Sequence, residues 1–305
     1  MKLSILFAGL AYAQTTDLVS DTDVQSSATN VQSSATDVQS SATDVQSDDT
    51  DGQSDEAADN VCYSDGVEAP CQPPKSTRSG KGQIATGTDE ERAERKYNDL
   101  NAMAVKLFAK NGFRGKAGFD ERKYWAYGCH CYLLGDGDQH KGIGKPKDSL
   151  DNVCKVYENC NKCVREKHGE DCVGELRKYT WKWSSKLNTL ESSNAPGSCT
   201  RELFECDKQL VQNTLAQKDV FNDQFHLFWS SQDGSEAFDN RDPDSCPSGG
   251  PSGNTPVKHM CCGGHTQPWY WIGVNKSKCC AATADALTGN VVSSSDTCEH
   301  GKFKL

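Results

Sequence analysis

YGCHCYLLGDGDQHKGIGKPKDSLDNVCKVYENCNKC, residues 127–163, is the stretch whose reading decides the fold. It opens with an aromatic and glycine turn carrying Cys129 and Cys131. A glycine-rich loop follows from Gly135 to Gly144, and then a run of helical character with Cys154, Cys160 and Cys163. Closely spaced cysteines admit two chemistries. Cys129-x-Cys131 and Cys160-x-x-Cys163 have the spacing of zinc-ligand pairs. Sixteen cysteines in 305 residues, however, fit disulfides formed in an oxidising compartment, and the count favours the disulfide reading.

Working outward, the N-terminal residues MKLSILFAGLAYA combine a lysine, an apolar run and a small-x-small end. That is the pattern of a secretory signal peptide over residues 1–13, cleaved after Ala13, so the mature chain is expected to be secreted and extracellular. No later apolar run approaches the ~18 residues needed to cross a bilayer, so no transmembrane segment is expected. The net charge of -10 has one source: residues 14–60 hold eleven Asp or Glu and no Lys or Arg, whereas residues 61–305 hold 32 of each sign. A near-neutral body without a basic stripe argues against nucleic acid as a partner. Residues 22–56 are five seven-residue repeats of the TDVQSSA type. With at most one valine per repeat they lack the two apolar positions a coiled coil needs. Ser, Thr, Asp and Gln cannot bury enough surface to offset chain entropy, so residues 14–60 read as a disordered acidic repeat segment acting as a spacer.

Residues 61–87 read as a linker with a small loop, VCYSDGVEAPC, closed most simply by Cys62 with Cys71. The first helix is expected to start near Thr88, where Thr88 and Glu91 form a capping-box pattern. Leu100, Met103, Ala104, Leu107 and Phe108 then share one face, and Gly112 ends the run. The charged continuation VREKHGEDC is expected to prolong the second helix to about Cys172. Alternating aromatics from Tyr179 to Trp183 suit a short strand or hairpin. CTRELFECDKQLVQNTL, residues 199–215, has helical period again. The main domain is placed at 88–220, a linker at 221–245 and a small cysteine-rich module at 246–305. Six cysteines in that last segment would staple a core too small to stand alone. Trp269, Tyr270 and Trp271 are read as that module's core, with a platform for sugars or lipid as the alternative. Asn275-Lys-Ser is an N-glycosylation sequon.

The turn, loop and helix together resemble the secreted phospholipase A2 family. Its pattern runs Y-G-C-x-C-G-x-G-G-x-G, then P-x-D-x-x-D, then C-C-x-x-H-D-x-C, with C-E-x-x-x-C-x-C-D on a second long helix. The resemblance covers about residues 95–215. It implies a mainly α, disulfide-rich fold: long helices plus a small β-wing, followed here by the cysteine-rich module. It also implies the bridges Cys131–Cys154, Cys160–Cys206 and Cys172–Cys199. Val153 and Asn213 stand where the family has two cysteines bonded to each other, so that bridge has lost both ends. Phe204 stands at one end of a second missing bridge. Cys129 is left to pair with Cys246, or with Cys163 if the topology is altered.

The family hydrolyses the sn-2 ester of phospholipids with calcium, a histidine base and an aspartate that orients it. Here the histidine position is Tyr157. A phenol of pKa ~10 leaves about one molecule in a thousand ionised at pH 7, so it is no general base. Asp207 is kept, Tyr179 matches a network tyrosine, and another has become Asn161. The resemblance places calcium at the carbonyls of His130, Tyr132 and Leu134 and at the carboxylate of Glu158. Tyr132 and Leu134 replace glycines, DQHKGI is inserted, and Glu158 is longer than aspartate, so calcium binding is expected to be weak or lost. His130 and His140 are loop histidines, not substitute bases. The expectation is therefore a non-hydrolysing extracellular binding or structural component with extracellular matrix, lipid or protein ligands. The alternative is an active calcium-dependent phospholipase A2.

Overall fold

The computed structural model describes residues 61–69, 71, 83–131, 142–231, 237–248, 257–284 and 287–303. The signal segment, the repeats, Tyr132, Leu134 and His140 lie outside the described residues.

Three helices carry the architecture: α1 (Asp89–Lys110), α2 (Ser149–His168) and α3 (Cys199–Ala216). Helix α1 begins where its capping box says it should. Thr88 Oγ1 accepts from the Glu91 amide at 3.3 Å and Glu91 Oε2 accepts from the Thr88 amide at 2.8 Å. Asp89, Glu90 and Glu91 complement the dipole of its first turn. It stops at Asn111, and Gly112 follows at φ +86°. Leu100, Met103, Ala104, Leu107 and Phe108 are all buried. Helix α2 is capped by Asp148 and ends at His168, short of the expected Cys172, because Gly169 takes φ +98° and breaks the helical path. Ser198 caps α3, accepting from the Arg201 amide at 3.2 Å.

The strands are short. β1 (Cys62–Ser64) and β2 (Val67–Ala69) form a hairpin, and β3 (Gln83–Ile84) pairs with β4 (Arg177–Lys178). The wing hairpin is β5 (Trp181–Ser184) with β6 (Thr189–Ser192). The first hairpin joins it to give an antiparallel sheet of order β2-β1-β5-β6, and Tyr63 stacks on Trp181 at 4.5 Å. Two further hairpins close the chain: β7 (His259–Gly264) with β8 (Gln267–Gly273), and β9 (Ser277–Ala281) with β10 (Gly289–Ser293).

These C-terminal hairpins lie against α2 and α3. Trp269, Cys262 and Phe303 share one buried cluster with Met103, Leu203 and Phe204. Trp269 has no exposed surface, and Gly264 must be glycine to pass it: at φ +84°, a Cβ there would sit 2.3 Å from the indole. Residues after α3 also pack inward. Phe221 and Phe225 lie on the cluster around Tyr127, and buried His226 bonds the Arg122 carbonyl at 2.8 Å.

All sixteen cysteines are paired in eight disulfides. Cys62–Cys71, Cys131–Cys154, Cys160–Cys206 and Cys172–Cys199 are local or helix-to-helix. Cys129–Cys246 and Cys163–Cys261 reach across 117 and 98 residues to tie the C-terminal segment to the helices. Cys262–Cys279 and Cys280–Cys298 lie within that segment. No helix among the described residues is long and apolar enough to cross a membrane.

Candidate functional site

The Cys160–Cys206 bridge clamps α2 to α3 and sets Asp207 opposite Tyr157. Asp207 is completely buried and its carboxylate is fully engaged. Tyr157 Oη donates to Oδ1 at 2.9 Å, Tyr179, immediately after β4, donates to Oδ2, and the Lys96 ammonium of α1 pairs with the same oxygen. Burial first, then the Asp207 charge, holds both phenols well above the ordinary tyrosine range. Tyr157 and Tyr179 are therefore proton donors to Asp207 at neutral pH. Lys96 adds the countercharge, which makes the cluster a closed ion pair with two hydroxyl donors.

Lys96 was not singled out from sequence, although a signal exists. It occupies the apolar stripe Lys96, Leu100, Met103, Leu107 at helical spacing, and a charge on such a face needs a buried partner. Its passage is tight, since a Cβ on Gly174 would meet the lysine Cε at 2.5 Å.

A second cluster surrounds the turn at 127–131. Asp151 of α2 is fully buried and accepts from the amides of Cys129, His130 and Lys147, each at 2.8 Å. Gly128, at φ +60°, is needed because any Cβ would strike the Asp151 carboxyl at 2.2 Å. This anchor presents the His130 ring to Glu158: Nδ1 lies 3.2 Å from Oε2. Glu158 Oε1 accepts from the Gly142 amide at 3.0 Å, so both carboxylate oxygens are occupied by nitrogen groups of the chain. The chain at 142–144 lies directly over the turn, with the Ile143 amide 3.2 Å from the Cys129 carbonyl. Lys155 donates to the Gly144 carbonyl at 2.9 Å, bringing a cation to the same corner.

A calcium ion needs about 6–8 oxygens converging on one point. Of the residues expected to supply them, Tyr132 and Leu134 lie outside the described residues, and Glu158 is committed to His130 and Gly142. No group of three or more His, Cys, Asp or Glu converges among the described residues. Among the described residues, the one carboxylate assigned to calcium, Glu158, already accepts from the Gly142 amide and faces His130.

Asp99, one turn along α1 from Arg95, forms a third buried centre. It accepts from the Gly66 amide at 2.9 Å and Trp181 Nε1 at 3.3 Å, and lies 3.5 Å from Arg95 Nη1. Burial is the largest influence and raises its pKa to about 6, against the pull of those donors and of Lys96 and Arg95. A carboxyl raised above its unfolded value contributes stability that is whole below pH 3.8 and lost as pH rises through 6. Asp99→Asn should remove that loss, on the order of 3 kcal/mol, so that urea midpoints measured between pH 4 and 6.5 rise less steeply toward acid than in the parent.

Helices bridged in this way, with an aspartate on α3 facing the α2 position four residues before Asn161, define a phospholipase A2 scaffold with Tyr157 at that position. The comparisons agree. The phospholipase A2 family model matches residues 113–226. The basic phospholipase A2 homolog LmutTX of Lachesis muta muta is 33% identical over 103 residues, 34% of this chain and 73% of the relative. The group IID secretory phospholipase A2 of Mus musculus is 28% identical over 131 residues, 43% of this chain and 77% of the relative. The basic phospholipase A2 homolog 2 of Bothrops asper is 30% identical over 107 residues, 35% and 67% respectively. The chain belongs to the phospholipase A2 family.

Proposed function

We propose that this chain is a secreted member of the phospholipase A2 family that does not hydrolyse lipid and acts outside the cell as a binding or structural component. One observation carries the reading: the group facing Asp207 from α2 is a phenol that holds its proton and donates it to the aspartate. Hydrolysis needs a proton acceptor at that point, and loss of a general base costs ~10²–10⁴ in rate. The engagement of Glu158 by His130 and Gly142 supports the same conclusion for calcium. Eight disulfides support an extracellular setting.

Fatty acid release from phosphatidylcholine vesicles, with calcium and with chelator, tests the reading. The full chain should release none above background under conditions where a hydrolysing phospholipase A2 run in parallel turns over. Tyr157→His should stay inactive too, because Lys96 still occupies Asp207 and Glu158 is still engaged. Calcium-stimulated release by the parent chain that Asp207→Asn abolishes would overturn the proposal.

A further inference from the structure

Two adjoining depressions run along the seam between α2, α3 and the C-terminal hairpins, and nothing in the candidate site uses them. The first, about 640 Å³, is walled by Asn159 of α2, Gln267, Tyr270 and Trp271 of β8 and Asn290 of β10. Its ten lining residues include no acidic or basic side chain. The second, about 530 Å³, shares Val156, Gln267 and Tyr270 with the first and continues past Gln209, Gln212 and Asn213 of α3, with Glu205 and Lys208 of the same helix also on its wall. Both volumes fall in the range of small-molecule sites.

The chemistry of the walls is specific. Each primary amide offers two N–H donors and a carbonyl acceptor, which matches hydroxyl groups that both give and take a hydrogen bond. The side-chain amides of Asn159, Gln267 and Asn290 make no hydrogen bond with other described residues. Gln209 is only 8% exposed, and its Oε1 has no donor within reach among the described residues. A buried acceptor left open beside a cavity costs free energy unless something else supplies the donor. The aromatic contribution is equally defined. Trp271 is fixed in the wall, stacked at 5.5 Å on His259 with the Lys162 ammonium 3.7 Å above its ring. Tyr270 alternates outward from buried Trp269, is 39% exposed, and is common to both depressions. An exposed aromatic flanked by uncharged amides suits the apolar face and hydroxyl rim of a pyranose ring.

We propose that this groove binds a neutral oligosaccharide, with Tyr270 as the stacking platform shared by two neighbouring sugar rings and the amides reading their hydroxyls. The first depression is lined by no charged side chain and the second by one of each sign, Glu205 and Lys208, so the linings carry no net positive charge for sulfated or uronic-acid chains. The inference deepens the extracellular-binding reading and rests on it. The groove residues are not those of the Tyr157 and Asp207 cluster, so vesicle hydrolysis and sugar titration fail separately.

The test is titration of the full chain with chitohexaose and with cellohexaose, followed by calorimetry and tryptophan fluorescence. A heparin-derived hexasaccharide and dodecylphosphocholine micelles are run alongside. Saturable binding of at least one neutral hexasaccharide is expected, and Tyr270→Ala should weaken it about tenfold or more. Asn290→Ala, on an exposed strand position, should weaken it severalfold. No saturation by either neutral sugar up to about 10 mM would overturn the proposal. So would binding that Tyr270→Ala leaves unchanged, or binding confined to the heparin fragment or the micelles.

Discussion

Glu202→Ala should cost about 3–5 kcal/mol of folding stability, read as a lowered urea midpoint at unchanged slope. Glu202 lies on α3 with no exposed surface and is the common acceptor of four donors. Lys167 Nζ approaches at 2.6 Å, and His168 Nε2, the His265 amide and Trp269 Nε1 each at 2.8 Å. The first two come from the last turn of α2 and the other two from the hairpin of β7 and β8. One carboxylate thus fastens both helices to the C-terminal segment at a single point. Its removal strands an indole N–H and a backbone amide inside the protein, which is why the loss exceeds that of an ordinary hydrogen bond. Burial pushes the Glu202 carboxyl upward, but the bonds from His168 and Lys167 outweigh it and leave it below its ordinary value. A depressed carboxyl contributes stability above its unfolded pKa of 4.5 and loses it as pH falls through the folded value. The parent should therefore lose stability below pH 4.5 relative to Glu202→Ala, so the difference between the two narrows there. A variant indistinguishable from the parent at pH 7 would refute the fastening role.

A comparable loss, about 3–5 kcal/mol, is expected for Asp207→Leu, because it leaves the Lys96 ammonium buried without a countercharge. Two phenolic hydroxyls lose their acceptor at the same time. The instructive measurement is the cycle with Lys96→Met. Removing both charges replaces an ion pair by apolar groups in a site already lined by aromatic rings. The double variant should accordingly be more stable than Asp207→Leu alone, with a coupling of roughly 1–3 kcal/mol. Additive losses would show that Lys96 and Asp207 do not act as a pair.

The sequence made the helices legible because their apolar faces repeat at helical period and their caps are written in local residues such as Thr88 and Glu91. The bridges Cys131–Cys154, Cys160–Cys206 and Cys172–Cys199 were implied by the family resemblance, which the matched loss of cysteines at Val153 and Asn213 supported. Long-range facts were not. Neither the partner of Cys163 nor the choice of Cys246 for Cys129 follows from spacing, because the joining residues lie 98 and 117 positions away. Residues after α3 look polar enough for a linker, yet Phe221 and His226 are spaced to reach the Tyr127 turn. Trp269 is plainly apolar in sequence. That it is buried with Leu203 and Phe204, among the helices' own core residues, depends on which face of β8 turns toward the helices, and the alternation alone leaves that choice open. At the candidate site Tyr157 was readable from its position between Cys154 and Cys160. The engagement of Glu158 was not, since it depends on the backbone amide of Gly142, which lies within the insertion.

The two far-reaching bridges also dictate an order of events during synthesis. Cys129 and Cys163 are translated long before Cys246 and Cys261 exist, and at roughly 5–20 residues per second the delay is on the order of ten seconds. Through that interval two thiols stand without their final partners while other thiols are close at hand. Either they stay reduced until the tail arrives, or any early pairing must be undone by thiol–disulfide exchange.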